Sequence, residues 1–275
     1  MHLQTRINPS ERAIGRSLQR AKAARRLAVQ MLHRGGEGHF GGSLSMIDIL
    51  AVMYEGFFAP GRRDRFILSK GHGAPGYYSI LAERGIIPVE KLDYYGQAGA
   101  ALQGHPDMTT ETAVHFSTGS LGQGLSVGLG MAVALRGTGA RVWVLIGDGE
   151  CQEGQIWEAA MLADRLDVPH LIAIVDANGH QELGFRCGGR IEAPLKSAPD
   201  KWSAFGWHST EVDGHDHNAL WDALDAVVQR RDGPSVVIAR TQKGFGSPVF
   251  IQDPDRFHCG ALSDDEYRAV LEDLQ

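Results

Sequence analysis

The sequence predicts an α/β fold, a parallel sheet covered by helices on both faces. Three observations lead to it. The apolar runs RVWVLI (141–146) and HLIAIV (170–175) each end in a polar, glycine-bearing string, GDGE (147–150) and DANGHQ (176–181), as buried parallel strands do. The intervening stretch EGQIWEAAMLADRLDVP places Ile156, Ala159, Ala160, Leu162, Ala163 and Leu166 on one broad face at helical spacing. Strand-like and helix-like segments then alternate along the rest of the chain, which favours a parallel sheet over segregated layers.

Taken in order, the patterns predict a helix over about 10–34, where RSLQRAKAARRLAVQMLHR is amphipathic with a cationic face. They then predict a helix over 46–57, a short strand over 65–69 and a helix over 74–84, with loops to 116. A helix over 121–136 follows, rich in glycine at 122, 124, 128 and 130; small residues there permit close helix contact at some propensity cost. Next come strand 141–147, helix 153–165 and strand 170–176. The glycine-rich stretch 179–201, with two prolines, reads as a long loop over a cleft mouth. Helix 200–205, strand 207–212, helix 216–231, strand 235–240 and a terminal segment complete the order. Residues 1–275 are expected to form one domain with an N-terminal helical extension.

Bulk properties exclude several classes. A net charge of −6 argues against general nucleic-acid affinity. No run of 18 apolar residues is present, so no membrane span is expected, and the N-terminus lacks an apolar signal core. Cys151, Cys187 and Cys259 form no CxxC pair, which suits a reducing cytoplasm.

The strand-end strings carry the chemistry. Parallel strands deliver residues to the carboxyl edge of the sheet, where open α/β folds bind ligands. Asp148 offers one anionic oxygen, Asn178 one neutral oxygen, and the backbone carbonyl of His180 a third. Mg2+ takes six oxygens and leaves several positions to water or phosphate. A second carboxylate would repel a diphosphate in a low-dielectric cleft, whereas an amide adds a ligand without charge. Gly147 and Gly149 lack Cβ and let backbone N–H groups approach phosphate oxygens. In a chain with 35 glycines, GDG alone also reads as a simple turn; the strand–helix–strand setting and the asparagine favour a site.

These strings resemble the thiamine diphosphate signature of the transketolase family. The resemblance is closest to the N-terminal, diphosphate-binding subunit of split transketolases, in which two chains share what is usually one polypeptide. It runs nearly end to end, through GEGHFGGSLSMIDIL (36–50), FILSKGHGAPGYYSIL (66–81), LQGHPD (102–107), STGSLGQGLSVGLGMA (117–132), GDGECQEGQIWEAAMLA (147–163), EVDGHD (211–216), ARTQKGFGS (239–247) and FHCGALSDDEY (257–267). It implies a thiamine diphosphate-binding fold and transfer of a two-carbon ketol unit from a ketose or ketose phosphate to an aldehyde acceptor. Asp148, Asn178 and the His180 carbonyl would hold Mg2+. Gly147, Gly149, Glu150, Gly119, Ser120 and Leu121 would line the cofactor, with His72, Lys243 and His258 near its diphosphate or reacting centre. His39, His72, His105 and His258 would be the catalytic set, because ketol transfer moves protons onto and off oxygens near neutral pH. Lys70 also resembles a cleft lysine, although a lysine after a strand is as often solvated. Glu153 resembles a glutamate in the network joining paired subunits. The remaining histidines, His2, His33, His115, His170, His208, His215 and His217, are expected to be structural or on the surface.

The family activates thiamine diphosphate with a glutamate from a pyrimidine-binding domain. Glu150, Glu153 and Glu158 lie in the wrong motif for that role. The resemblance therefore implies a partner, the C-terminal transketolase subunit, in an α2β2 heterotetramer acting on a sugar or sugar phosphate. Four places depart from the family pattern. His180 and Leu183-Gly184 stand where an apolar residue and Asp-Gly are commoner. His115 replaces an acidic residue, and Phe40 replaces a proline. The competing readings are deoxyxylulose-phosphate synthase, the α chain of 2-oxoacid dehydrogenases and a non-catalytic paralogue. The first two share the GDG-to-Asn site but lack the full set of SKGHG, QGHPD, GSLGQG and VDGHD.

Overall fold

Side chains that alternate between two apolar surfaces organise this chain. The computed structural model describes residues 9–182, 186–187, 190–191 and 195–275. In order, the elements are α1 (Pro9–Gly35), α2 (Phe40–Ser45), α3 (Ile47–Gly56), β1 (Arg65–Leu68), α4 (Ala74–Glu83), α5 (Gln123–Ala134), β2 (Val142–Gly147), α6 (Gly154–Leu166) and β3 (Leu171–Ala177). There follow the two-residue strands β4 (Arg186–Cys187) and β5 (Arg190–Ile191), then α7 (Ala198–Ala204), β6 (His208–Asp213), α8 (His217–Gln229), β7 (Ser235–Arg240), α9 (Pro248–Ile251) and α10 (Asp264–Asp273).

The sheet runs β1-β2-β3-β7-β6 and every pairing in it is parallel, while β4 and β5 pair antiparallel. The period of two along each strand divides the core. Trp143, Leu145, Ile172, Ile174 and Val237 join one buried cluster with residues of α1, α3, α4 and α8. Val142, Val144, Ile146, Ala173, Val175 and Ile238 join the other with α5, α6 and α7. Every residue of β2 and β3 is buried, which is why both read as unbroken apolar runs.

Helix α5 packs close to the sheet because it carries glycine where it crosses β2. A Cβ on Gly128 would lie 2.5 Å from Val144 Cγ2. The free edge of β1 is closed by side chains. Phe66 N–H donates to His115 Nδ1 (3.1 Å), and Thr118 Oγ1 donates to the Leu68 carbonyl (2.7 Å). His115 thus supplies a neutral acceptor to an edge strand, and burial lowers its pKa.

The order of elements follows the sequence reading, with differences at four places, one of them the short β4–β5 pair within the stretch read as a loop. The helix expected from 121 begins at Gln123, because Gly122 takes a left-handed φ of 84°. FGGSLS forms the extra helix α2, buried along its whole length. The terminal segment contains α9 and α10, the latter opened by a Ser263–Glu266 capping box. The Leu183-Gly184 pair and part of the 179–201 stretch lie outside the described residues.

Substituting Gly128→Val is expected to force α5 away from β2, at about 1–3 kcal/mol or more of stability. Urea unfolding measures this; an unchanged midpoint would contradict the close packing.

Candidate active site at the carboxyl edge of the sheet

The carboxyl ends of β1, β2, β3 and β7 all point to one side of the sheet, and the polar residues that follow them meet there. Lys70, just after β1, is buried and pairs with Asp176 near the end of β3. Its Nζ also donates to the Gly42 carbonyl within α2 (2.8 Å). Asp176 accepts further bonds from Ser45 Oγ of α2 (2.7 Å) and from Thr241 Oγ1 after β7. Burial pushes the Asp176 carboxyl up, but the Lys70 charge and the Lys70, Thr241 and Ser45 hydrogen bonds outweigh it and hold the group below its ordinary value.

Glu150 forms a second tie. Its carboxylate accepts from Ser69 Oγ (2.5 Å), Gly122 N–H (2.8 Å) and Gly147 N–H (3.0 Å). It fastens the turn after β2 to the end of β1 and the start of α5. The close contact between the SKGHG and STGS segments depends on Gly71, whose Cβ would lie 2.9 Å from Gly119 N.

Above this base lies a cavity of about 450 Å³ lined by His39, His72, His105, His258, Gly119, Leu121, Gly147, Asp148, Gly149, Glu150, Asn178 and His180, with Lys70, Gln152, Glu153, Gln181 and Glu182. Of the site residues read from the sequence, two do not line it. Ser120 is exposed. Lys243 is buried and reaches the cavity through His258, its Nζ donating to His258 Nδ1 at 2.7 Å. That bond leaves the His258 proton on Nε2.

Asp148 and Asn178 flank the floor. Asp148 accepts N–H bonds from Gly149 (2.9 Å) and Gly179 (2.7 Å). Burial, then the Asp176 charge, push its carboxyl up to about 6, and those N–H bonds offset only part of the effect. Among the described residues Asp148 makes no ion pair. Asn178 Oδ1 accepts from His180 N–H (3.1 Å), and the His180 ring lies against the Asn178 carbonyl, with Nδ1 3.0 Å from its oxygen. The donor set is one buried, under-compensated carboxylate and two neutral oxygens. It fits a hard divalent cation, whose charge would return Asp148 to its ionised form. No cluster of three or more His, Cys, Asp or Glu with metal-binding geometry occurs among the described residues; the candidate set contains only one such side chain.

The four cavity histidines form a compact group. Ring centroids are 5.3 Å apart for His39–His72, 5.8 Å for His39–His258, 5.7 Å for His72–His258 and 6.3 Å for His39–His105. Burial, with the His105, Lys70 and Lys243 charges, lowers His39 to about 4; burial, Lys243 and His39 lower His258 to about 3. His72 is held well below its ordinary value by burial and Lys70, and His105 is lowered by burial. Lys243 itself is lowered to about 8 by burial and by Lys70. The cavity therefore holds neutral imidazoles around a cationic wall.

Outside the cavity, other histidines serve the fold. His215 Nδ1 and His217 Nε2 approach Asp48 at 2.7 and 2.9 Å, beside Arg25, and Ser17 Oγ meets His217 Nδ1 at 2.7 Å. The EVDGHD string thus ties the end of β6 to α1 and α3. Burial would raise the Asp48 carboxyl, but these partners hold it far below its ordinary value. His33 stacks on Tyr267 and His170 Nε2 donates to the Ala132 carbonyl.

The five-stranded parallel sheet with its carboxyl-edge cleft is shared with solved transketolases and is the α/β thiamine diphosphate-binding fold. The chain belongs to the transketolase family: the family model described as "Transketolase, thiamine diphosphate binding domain" matches residues 17–274. It is 38% identical over 264 residues to the 6-deoxy-6-sulfo-D-fructose transketolase subunit SqwG of Clostridium sp. (strain MSTE9), covering 93% of this chain and 94% of that protein. It is 37% identical over 280 residues to an apulose-4-phosphate transketolase subunit of Actinobacillus succinogenes, covering 98% and 99%. Among solved structures, transketolase from Leishmania mexicana superposes with a TM-score of 0.84 at 26% identity, covering 94% of this chain and 41% of that one. The chain thus spans about two-fifths of the solved transketolases it matches and nearly all of the transketolase subunits. The family match selects transketolase over the other thiamine diphosphate readings.

The lowered histidine values set a pH dependence. The unfolded chain takes up protons on histidine as pH falls through about 6.5, whereas the fold resists until about 4 at His39 and about 3 at His258. Stability from this source is present above about 6.5 and falls as pH drops toward 4. His258→Gln, which keeps an acceptor for Lys243, is expected to flatten thermal unfolding against pH across that window. A slope identical to that of the parent chain would contradict the neutral cluster.

Proposed function

We propose that this chain, acting as a single diphosphate-binding domain over residues 1–275, is the N-terminal subunit of a split, thiamine diphosphate-dependent transketolase. It would transfer a two-carbon ketol unit from a ketose or ketose phosphate to an aldehyde. One observation carries this reading: Asp148, Asn178 and four motif histidines converge on one cavity in a chain of the transketolase family.

In this reading Asp148, Asn178 and the His180 carbonyl hold Mg2+, and Gly147, Gly149, Gly119, Leu121 and the Lys243–His258 pair flank the cofactor diphosphate. Glu150 serves by fixing the Gly147 turn, since its carboxylate is occupied by three donors of the protein. Ser120, exposed between the lining residues Gly119 and Leu121, would meet the cofactor at the cavity rim. Bound thiamine diphosphate supplies the electron sink for cleaving a carbon–carbon bond beside a carbonyl. His39, His72 and His105, neutral at physiological pH, accept or return protons at substrate oxygens. His258, with its proton on Nε2, presents a donor where negative charge develops. Lys70 and Lys243 supply positive potential without touching every anion directly.

The activating glutamate comes from a pyrimidine-domain partner, in an α2β2 assembly that closes the exposed mouth of the cavity. The names of both relatives, each a transketolase subunit, support a divided enzyme. A cytoplasmic location is part of the same proposal; among the described residues no helix is long and apolar enough to cross a membrane.

Two measurements test the proposal. The chain alone is expected to show no ketol transfer, and the chain mixed with its pyrimidine-domain partner to gain it only with thiamine diphosphate and Mg2+. Turnover by the chain alone would refute the divided site, and an inert loaded pair would make this a non-catalytic paralogue. Asp148→Ala is expected to weaken cofactor binding in calorimetry by more than the ~10–100-fold typical of outer-shell changes, with circular dichroism unchanged. Parent-like cofactor affinity would refute the metal assignment.

A further inference from the structure

The opposite edge of the sheet carries a second cavity that the proposed reaction does not use. It holds about 400 Å³ and lies where β2, β3 and β7 begin. Arg141 immediately precedes β2, His170 precedes β3, and Arg230 and Arg231 close the α8–β7 turn. The starts of β2 and β7, which flank β3, therefore bring guanidinium groups from separate parts of the chain to one place.

Charge at this place is unbalanced. Among the described residues Arg141 and Arg231 make no ion pair; their guanidinium groups donate only to main-chain carbonyls, both of them to that of Val228. Arg230 pairs with Asp232, yet its Nε is buried with no partner. The nearby Asp64 accepts the Arg141 and Ala59 N–H groups at 2.9 and 3.0 Å and offsets part of the positive charge. Burial, then the Arg62 charge, lower the Arg141 pKa, with Asp64 opposing and Arg231 adding to the effect. Like charges are thus gathered here in a chain whose net charge is −6. Asp64 and Asp232 leave the four arginines at positions 62, 141, 230 and 231 in excess, and planar guanidinium forks match phosphoryl oxygens.

We propose that this amino-edge cavity, framed by Arg141, Arg230 and Arg231, is a binding site for a small phosphate-bearing molecule. Its volume falls within the range of small-ligand sites and exceeds what a single phosphate fills. The site lies at the far ends of the strands that present Asp148 and Asn178, so its occupant is distinct from a cofactor held at the carboxyl edge.

Calorimetric titration of the full, metal-free chain with inorganic pyrophosphate tests the site. Binding is expected to weaken at least about tenfold in Arg141→Gln/Arg231→Gln, as loss of charge-assisted bonds requires. It should be retained in Arg12→Gln/Lys22→Gln, which removes the same charge from exposed positions of α1. Equal weakening in both double variants, or none in either, would overturn the proposal. So would an event that disappears in His258→Gln but survives in the arginine variant, since that event belongs to the other cleft. If Arg141→Gln disturbs the fold, Arg231→Gln alone, at an exposed side chain, must still weaken binding; parent-like affinity there would also overturn it.

Discussion

The cleft at the carboxyl edge depends on one buried ion pair. Lys70 and Asp176 stand at the ends of β1 and β3, with β2 between them, and neither has meaningful solvent contact. Two isolated charges at that depth would be costly, and their attraction offsets the cost only when the remaining hydrogen-bonding capacity is filled. Here it is filled by the Gly42 carbonyl, Ser45 and Thr241. The same bonds fix α2, which ends at Ser45, and the segment after β7 that leads to Lys243. The pair thereby sets the spacing between the elements that carry His39, His72, Asn178 and His258.

Charge then explains the rest of the cavity. Positive potential from Lys70 and Lys243 suits an anionic ligand, while burial and those same cations keep the surrounding histidines neutral. Asp148 experiences the opposite pressure, being buried near Asp176 and short of compensation. Lys243 on the wall and the buried Asp148 on the floor, its burial only partly offset, suit the diphosphate and divalent cation of the proposed function. Glu150 adds rigidity, because three donors fill its carboxylate and tie three segments together.

Much of this was legible in the sequence, and the reasons are local. β2 and β3 are buried on both faces, so their apolar runs were unambiguous, and the strings that follow strands had to lie at a sheet edge. Helix α2 was not legible: FGGSLS has two glycines and no helical period, and its form comes from burial beside Lys70 and Lys243. Helix α10 could have been read from its Ser263-x-x-Glu266 capping box. The role of Asp176 was hidden because its partner lies 106 residues away; its position at the head of DANGHQ gave no hint that it faces inward. The sequence left Lys70 open between solvent and cleft, and its burial resolves the choice. His115 could be noted only as a departure, since the strand edge it caps becomes visible only in three dimensions.

A double-mutant cycle on the Lys70–Asp176 pair, followed by chemical denaturation, tests the central claim most directly. Lys70→Met and Asp176→Asn should each lose about 3–5 kcal/mol, as breaking a buried pair does. The double variant should be less destabilised than the sum of the two. Single losses below about 0.5 kcal/mol that simply add would contradict the dependence of the cleft on this pair.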